Sequence, residues 1–129
     1  MVILALETAT RAGSLAIVTS NGDATAMTGD PARTHGVRLP AEIVAFLGAA
    51  GLTLPQVDLL AVVTGPGSFT GLRVGLATIQ GLALAQGRVV VGIPTLEALA
   101  SAVESALGSG LSTRPPAVGP EPAKRGGRP

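Results

Sequence analysis

A short run of buried-strand character, Leu59 to Val63, passes through Thr64-Gly-Pro-Gly-Ser-Phe-Thr-Gly and straight into an apolar helical run reaching Gln86. Strand, tight glycine turn and helix in direct succession commit a chain to α/β layering, with the helix folded back on the sheet that holds the strand. The stretch Val62 to Gly75 is therefore the hub of one α/β lobe. At 129 residues the chain is long enough for one domain with a real core and short for two. Hydrophobic residues make up 47% but aromatics only 2%, so the core must be Ala, Val, Leu and Ile packed against glycine. Cysteine is absent, which excludes disulfides, thiolate metal sites and cysteine nucleophiles together.

The rest of the chain arranges itself around that hub. Val2 to Leu6 is a short apolar run with the pattern of a buried strand. Ser14 to Val18 reads as a second strand, and Asn21-Gly22 is a hairpin signal leading to a third near Asp23 to Met27. Gly29 to Gly36 is polar and loop-like. Leu39, Ile43, Phe46, Leu47 and Ala50 then fall on one helix face. Pro40 suits a first helical turn, which places the helix start just before it; a kink at Pro40 is the alternative. Gly51 closes that helix. After the hub helix Gly87 is a cap, Val89 to Ile93 a fifth strand, and Pro94-Thr95 opens a last helix to Leu107.

The order β-β-β-α-β-α-β-α predicts a mixed five-stranded sheet, three antiparallel strands followed by two parallel ones. This is the ribonuclease-H-like lobe of the actin, sugar-kinase and heat-shock-ATPase superfamily. A doubly wound dinucleotide fold would instead begin β-α-β. Residues 1–107 form this predicted lobe. Residues 108–129 are rich in Gly and Pro, nearly free of large apolar side chains, and are expected to be a disordered, weakly basic tail.

The net charge of +1 is unevenly spread. Residues 1–107 hold five arginines and seven acids, so the lobe is a poor stand-alone nucleic-acid binder; if RNA matters, another subunit should hold most of it. The N-terminus lacks the pattern of a secretory signal. The best apolar run, Gly75 to Ala85, is broken by Gln80 and too short to span a membrane. A soluble, cytoplasmic protein is expected.

Thr64 to Gly75 carries the chemistry the sequence offers. Amide groups where a strand turns into a helix can cradle a phosphate. The turn is nevertheless no Walker A motif, because no Lys-Ser/Thr pair follows, and no GxGxxG, because Thr70 takes the last glycine's place. A tight turn built from small residues for close packing ranks first from the spacing, with phosphate binding the alternative. In the helix beyond it, Leu72, Leu76, Ile79 and Ala83 form one face and Gly71, Gly75 and Thr78 a small-residue strip. A helix apolar nearly all round needs cover on more than one side, and a protein partner is a natural second cover. Arg73, one turn in, suits a phosphate, an interface acid or solvent equally. His35 is the sole histidine and reads as a polar residue at a loop-to-helix junction. Ser14 and Ser68 lack the base and orienting acid of a hydrolase triad.

Five runs carry a family resemblance. They are Leu4-Ala-Leu-Glu-Thr-Ala-Thr, Ser14-Leu-Ala-Ile-Val, Thr34-His-Gly-Val-Arg-Leu-Pro, Gly65-Pro-Gly-Ser-Phe-Thr-Gly-Leu-Arg-Val-Gly-Leu-Ala-Thr and Gly92-Ile-Pro-Thr-Leu-Glu-Ala-Leu-Ala. In this order, from Met1 to about Ala106, they resemble the TsaB (YeaZ) family, the dimerisation subunit of the bacterial tRNA threonylcarbamoyladenosine transferase complex. The resemblance implies a non-catalytic subunit that partners the catalytic paralogue TsaD, with a TsaE-like ATPase in the complex. It also implies that the lobe's helices meet the partner, or a second copy. That assigns Leu72, Gly71, Gly75, Leu76 and Ile79 to the interface, with Leu39 and Ile43 from the preceding helix.

Two departures stand beside the resemblance. The catalytic paralogue holds a metal through two histidines at i and i+4 at the start of the helix after its fifth strand; the matching positions here are Thr95 and Leu99, and no metal is expected. Family members also carry a second lobe of the same fold, where this chain has its Pro/Gly segment. A truncated or frame-shifted form, with an incomplete nucleotide cleft, is the expectation. No cofactor is assigned. The enzyme-class rival is a phosphotransferase-like lobe holding ATP or ADP through Thr8, Thr10, Gly65, Gly67 and Ser68, with Glu7 in the place of an acid for metal-phosphate chemistry. A peptidase-like activity, suggested by the wider glycoprotease family, finds no metal pair, triad or cysteine.

Overall fold

A computed structural model describes residues 1–107 of the chain; the tail expected over 108–129 lies outside the described residues. Eight main elements follow in order: β1 (Val2–Glu7), β2 (Ser14–Thr19), β3 (Ala24–Thr28), α1 (His35–Ala49), β4 (Leu59–Gly65), α2 (Phe69–Gln86), β5 (Val89–Pro94) and α3 (Thr95–Leu107). The sheet order is β3-β2-β1-β4-β5. β1 pairs antiparallel with β2 and parallel with β4; β3 and β5 extend the two sides antiparallel and parallel. These are the order and directions expected of a ribonuclease-H-like lobe.

Register decides where the core sits. Leu4 lies between Ile17 and Leu60, and Leu6 between Leu15 and Val62. All six side chains are buried, and the period of two places them on one face. α1 covers that face with Leu39, Ile43, Phe46 and Leu47, and α2 with Ile79 and Ala83. Burying each large aliphatic side chain contributes roughly 1.5–3 kcal/mol, so this one layer carries most of the lobe's stability. Ala61 and Val63 alternate with these β4 residues, point to the other face and are also buried. α3 packs against β4 and β5.

Glycine ends α1 as its position predicted. Gly51 takes φ +72°, its N–H bonds to Gly48 O at 3.0 Å, and Leu52 N–H bonds to Leu47 O at 2.9 Å. This paired closure satisfies two terminal carbonyls and tucks Leu52 against the core. The start of α1 departs from expectation. The helix begins at His35, so Pro40 stands inside it. The carbonyl that Pro40 cannot serve belongs to Gly36, which is exposed and open to water. What draws the start forward is the anchoring of His35 and Arg38, described below.

α2 also turns differently from its leucine periodicity. Its buried residues are Gly71, Gly75, Ile79 and Ala83, a strict i, i+4 stripe. Leu72 and Leu76 are only half-buried. The helix lies close over the end of β1, where only the small strip fits. A Cβ on Gly71 would overlap Thr8 O, and one on Gly75 would overlap the Thr8 hydroxyl.

Candidate functional site

The glycine turn after β4 meets the end of β1. Gly65 has φ +116°, a conformation that favours glycine. Gly67 lies so close to Ala9 that any side chain there would overlap it, and Ser68 N–H bonds to Ala9 O at 2.9 Å. Ser68 Oγ then accepts from Gly71 N–H at 3.2 Å and caps α2. On the β1 side, the Glu7 carboxylate accepts from Thr10 N–H at 2.7 Å, from Thr10 Oγ at 3.0 Å and from Ser14 Oγ at 3.4 Å. Thr10 Oγ in turn accepts from Gly13 N–H at 3.1 Å. Glu7 and Thr10 thus hold the β1–β2 turn in shape.

This geometry sorts the residues expected to hold a nucleotide. Thr8 is fully buried beneath α2, its hydroxyl enclosed by the helix. Thr10 is exposed but occupied with Glu7 and Gly13. Gly65 and Gly67 serve the close approach of the turn to Ala9 and Leu72. Ser68 alone of the five also lines a cavity, described further below. The turn is a packing device first.

Beside it lies a buried polar cluster that sequence reasoning passed over. Arg38 is 2% exposed. Its Nη2 donates to Arg11 O at 3.0 Å, to Ala12 O, and to His35 Nδ1 at 2.9 Å. Its Nε donates to Arg33 O at 3.2 Å, and Nη1 pairs with Glu42 at 3.3 Å. His35 Nε2 lies 2.9 Å from Thr10 O. With Nδ1 accepting from a guanidinium, the ring is the neutral Nε2–H tautomer, and it donates to that carbonyl. Arg38 and His35 therefore lock α1 to the β1–β2 turn. His35 is a polar residue at a helix junction, as expected. The hint for Arg38 was its spacing, three residues after His35 and four before Glu42 on one helix face.

The residues expected at a partner interface divide in the same way. Leu39 and Ile79 are core residues, and Gly71 and Gly75 face Thr8, so none of these four is free to touch a partner. Ile43 is 3% exposed and forms part of a groove floor. Leu72 and Leu76 are half-buried flanks. The open surface is a groove of about 740 Å³ between α1 and α2, walled by Pro40, Val44, Gly48, Ala77, Gly81 and Leu82. Its lining is almost wholly apolar, and Val44 is 72% exposed.

A family model described as TsaD, tRNA N6-adenosine threonylcarbamoyltransferase, matches residues 29–120. The chain belongs to the TsaD/TsaB (YeaZ) family. Within the family it is similar to the tRNA threonylcarbamoyladenosine biosynthesis protein TsaB of Haemophilus influenzae, 43% identical over 102 residues, which cover 79% of this chain and 43% of that protein. The Escherichia coli protein of the same name is 38% identical over 100 residues, covering 78% and 43%. The solved structure of YeaZ from Pseudomonas aeruginosa superposes with TM-score 0.74 at 35% identity, over 81% of this chain and 48% of that one. The chain thus spans less than half the length of the relatives it matches. The likeness in fold and sequence supports the TsaB/YeaZ resemblance of the five motif runs.

Family membership raises the question of a metal, and the residues at the matching place do not fit one. α3 does begin at Thr95, so Thr95 and Leu99 stand one turn apart as the spacing requires. Thr95 offers a single buried hydroxyl without a partner, and Leu99 offers carbon. Among the described residues no three His, Cys, Asp or Glu side chains come together. No helix among them is long and apolar enough to cross a membrane.

Proposed function

We propose that this chain is a non-catalytic subunit that holds and activates a TsaD-like enzyme in threonylcarbamoyladenosine modification of tRNA next to the anticodon. Family membership supports the process, and the apolar α1–α2 groove is the observation that carries the role. A groove of this size with an exposed valine on its wall suits a protein surface better than a polar metabolite. The occupant is the TsaD-like subunit. The TsaE-like ATPase joins through the complex, tRNA reaches the chain through its partner, and the setting is the cytoplasm. No metal or cofactor of its own enters this reading. The burial of Thr8 counts against the phosphotransferase rival.

The test is co-purification with a TsaD-like partner, followed by assay of threonylcarbamoyl transfer. The chain should form a stable heteromer and raise the partner's turnover. Val44→Glu, on the groove wall, should weaken association at least about tenfold while leaving the melting temperature unchanged. A chain that self-pairs but ignores the partner would give the groove to a second copy. Undiminished binding by a folded Val44→Glu variant would remove the groove from the reading.

A further inference from the structure

A second concavity opens over the amino-terminal half of α2, away from the apolar groove. It has a volume of about 460 Å³ and runs between the β1–β2 turn, the loop entering α1 and the start of α2. Arg11 and Arg33 line it, together with Ser68 and Thr70. A smaller hollow of about 350 Å³ shares Thr70 and Val74 with it and adds Arg73 and Ala77, the last also a wall of the apolar groove. Three of the five arginines of residues 1–107 therefore stand around one continuous depression. No carboxylate lines either part. The nearby acids are engaged elsewhere: Asp30 accepts from Ala32 N–H at 2.9 Å, and Glu7 from Thr10. The lobe is net acidic, yet here its charge is locally reversed.

The walls are fixed in advance. Arg11 Nε donates to Pro31 O at 2.7 Å, which joins the two loops that carry Arg11 and Arg33. Buried Arg38 holds the main chain of both arginines from below, through Arg11 O and Arg33 O. The first turns of α1 and α2 both reach the cavity, and neither contains an acid. Their amide ends add partial positive charge to that of the arginines. At the outer edge Phe69 is 73% exposed, and the Arg73 guanidinium sits 5.3 Å from its ring centroid. An exposed ring paired with arginine beside a cationic hollow is the arrangement that stacks a base while phosphates are neutralised.

We propose that this depression binds the phosphate groups of a nucleotide, with Arg11 and Arg33 as phosphate ligands and Phe69–Arg73 as the platform for its base. The nucleotide is either free or a unit of a single-stranded RNA. The inference does not rest on the partner reading, because its phosphate ligands Arg11 and Arg33 lie outside the groove, which meets the hollow only at Ala77.

The test titrates the 129-residue chain, followed by amide NMR shifts, with ATP and with a single-stranded oligoribonucleotide of about eight nucleotides. Shifts should map to residues 11–13, 31–36 and 68–74. Oligonucleotide binding should weaken roughly twentyfold between 50 and 200 mM salt, as for about three phosphate contacts. Arg11→Glu and Arg33→Glu should each weaken binding at least about fivefold, with Arg88→Glu, remote on the surface, equal to wild type. Tighter binding of the oligonucleotide than of ATP identifies an RNA strand; ATP binding alone identifies a free nucleotide. Absence of binding to both at 50 mM salt would overturn the proposal. So would an Arg88→Glu loss as large as that of Arg33→Glu. Unchanged oligonucleotide affinity in Phe69→Ala would overturn the base platform.

Discussion

The two helical layers of this lobe use the same kinds of side chain to opposite ends. On the α1–α2 side, Leu39, Ile43, Leu47 and Ile79 interlock with Leu4, Leu6, Leu60 and Val62, all nearly or fully buried. On α3, Leu96, Leu99, Val103 and Leu107 recur at helical spacing but stand exposed, beside exposed Val89 and Val91 on the edge strand β5. Scattered exposed apolar residues are ordinary, but a stripe continuous with strand valines is a patch. Hydropathy predicted both helices equally well. Coverage separates them: α1 and α2 pack on the sheet and on each other, while the outer side of α3 has no cover among the described residues. Apolar periodicity therefore reports a surface that can be buried, and only the packing tells which one is.

The largest contrast to test is Ile79→Ala against Leu99→Ala. Ile79 is 0% exposed and Leu99 is 58% exposed. Truncating Ile79 should cost about 2–5 kcal/mol in urea unfolding, through lost burial and the cavity left behind. A cost below about 1 kcal/mol would mean that α2 is not fixed on the sheet and would dissolve the distinction between the layers.

Next in size is a pair of glycines about nine ångströms apart along one helix, six residues at about 1.5 Å each. At Gly75 a Cβ would overlap the Thr8 hydroxyl, whereas at Gly81 nothing lies within 4 Å. Gly75→Ala should therefore destabilise by roughly 1–3 kcal/mol, from overpacking against β1. Gly81→Ala should stabilise by about 0.5–1 kcal/mol, because alanine is the better helix former and meets no neighbour. Thermal unfolding of the two variants reads the opposite signs directly. If both stabilise, α2 does not seat on Thr8, and the explanation for its inward-turned glycine stripe is wrong.

The glycines also show what the sequence made legible and what it hid. Four strands were marked by apolar runs and β3 by the Asn21-Gly22 hairpin signal, and Gly51 and Gly87 marked helix ends because a left-handed residue there is nearly always glycine. The glycine turn packs closely against Ala9 and Thr8, a role its small residues made legible. The inner face of α2 was misassigned because hydrophobic periodicity weights leucine and gives glycine no voice. Leu72 and Leu76 drew attention while Gly71 and Gly75 carried the contact. Of the residues expected at a partner surface, Leu39 and Ile79 lie in the core, while the open apolar surface is the groove at Val44, Gly48 and Gly81. Arg38 was missed for the converse reason. An arginine reads as surface, and only the three-dimensional meeting of the β1–β2 turn with α1 supplies the carbonyls that make its burial tolerable.

The smallest predicted effect bears on the α3 side of the comparison. Leu99→Gln removes an apolar side chain from the middle of the exposed stripe and replaces it with another good helix former. If the outer side of α3 faces water, the stability of the 129-residue chain should change by less than about 0.5 kcal/mol. Solubility should rise, because the substitution interrupts the patch formed with Val91 and Val103. Urea unfolding at low protein concentration measures the first effect, and sedimentation at rising concentration the second. A loss of stability approaching that of Ile79→Ala would show that α3 is covered in the folded chain. The two layers would then differ only in which part of the protein covers them.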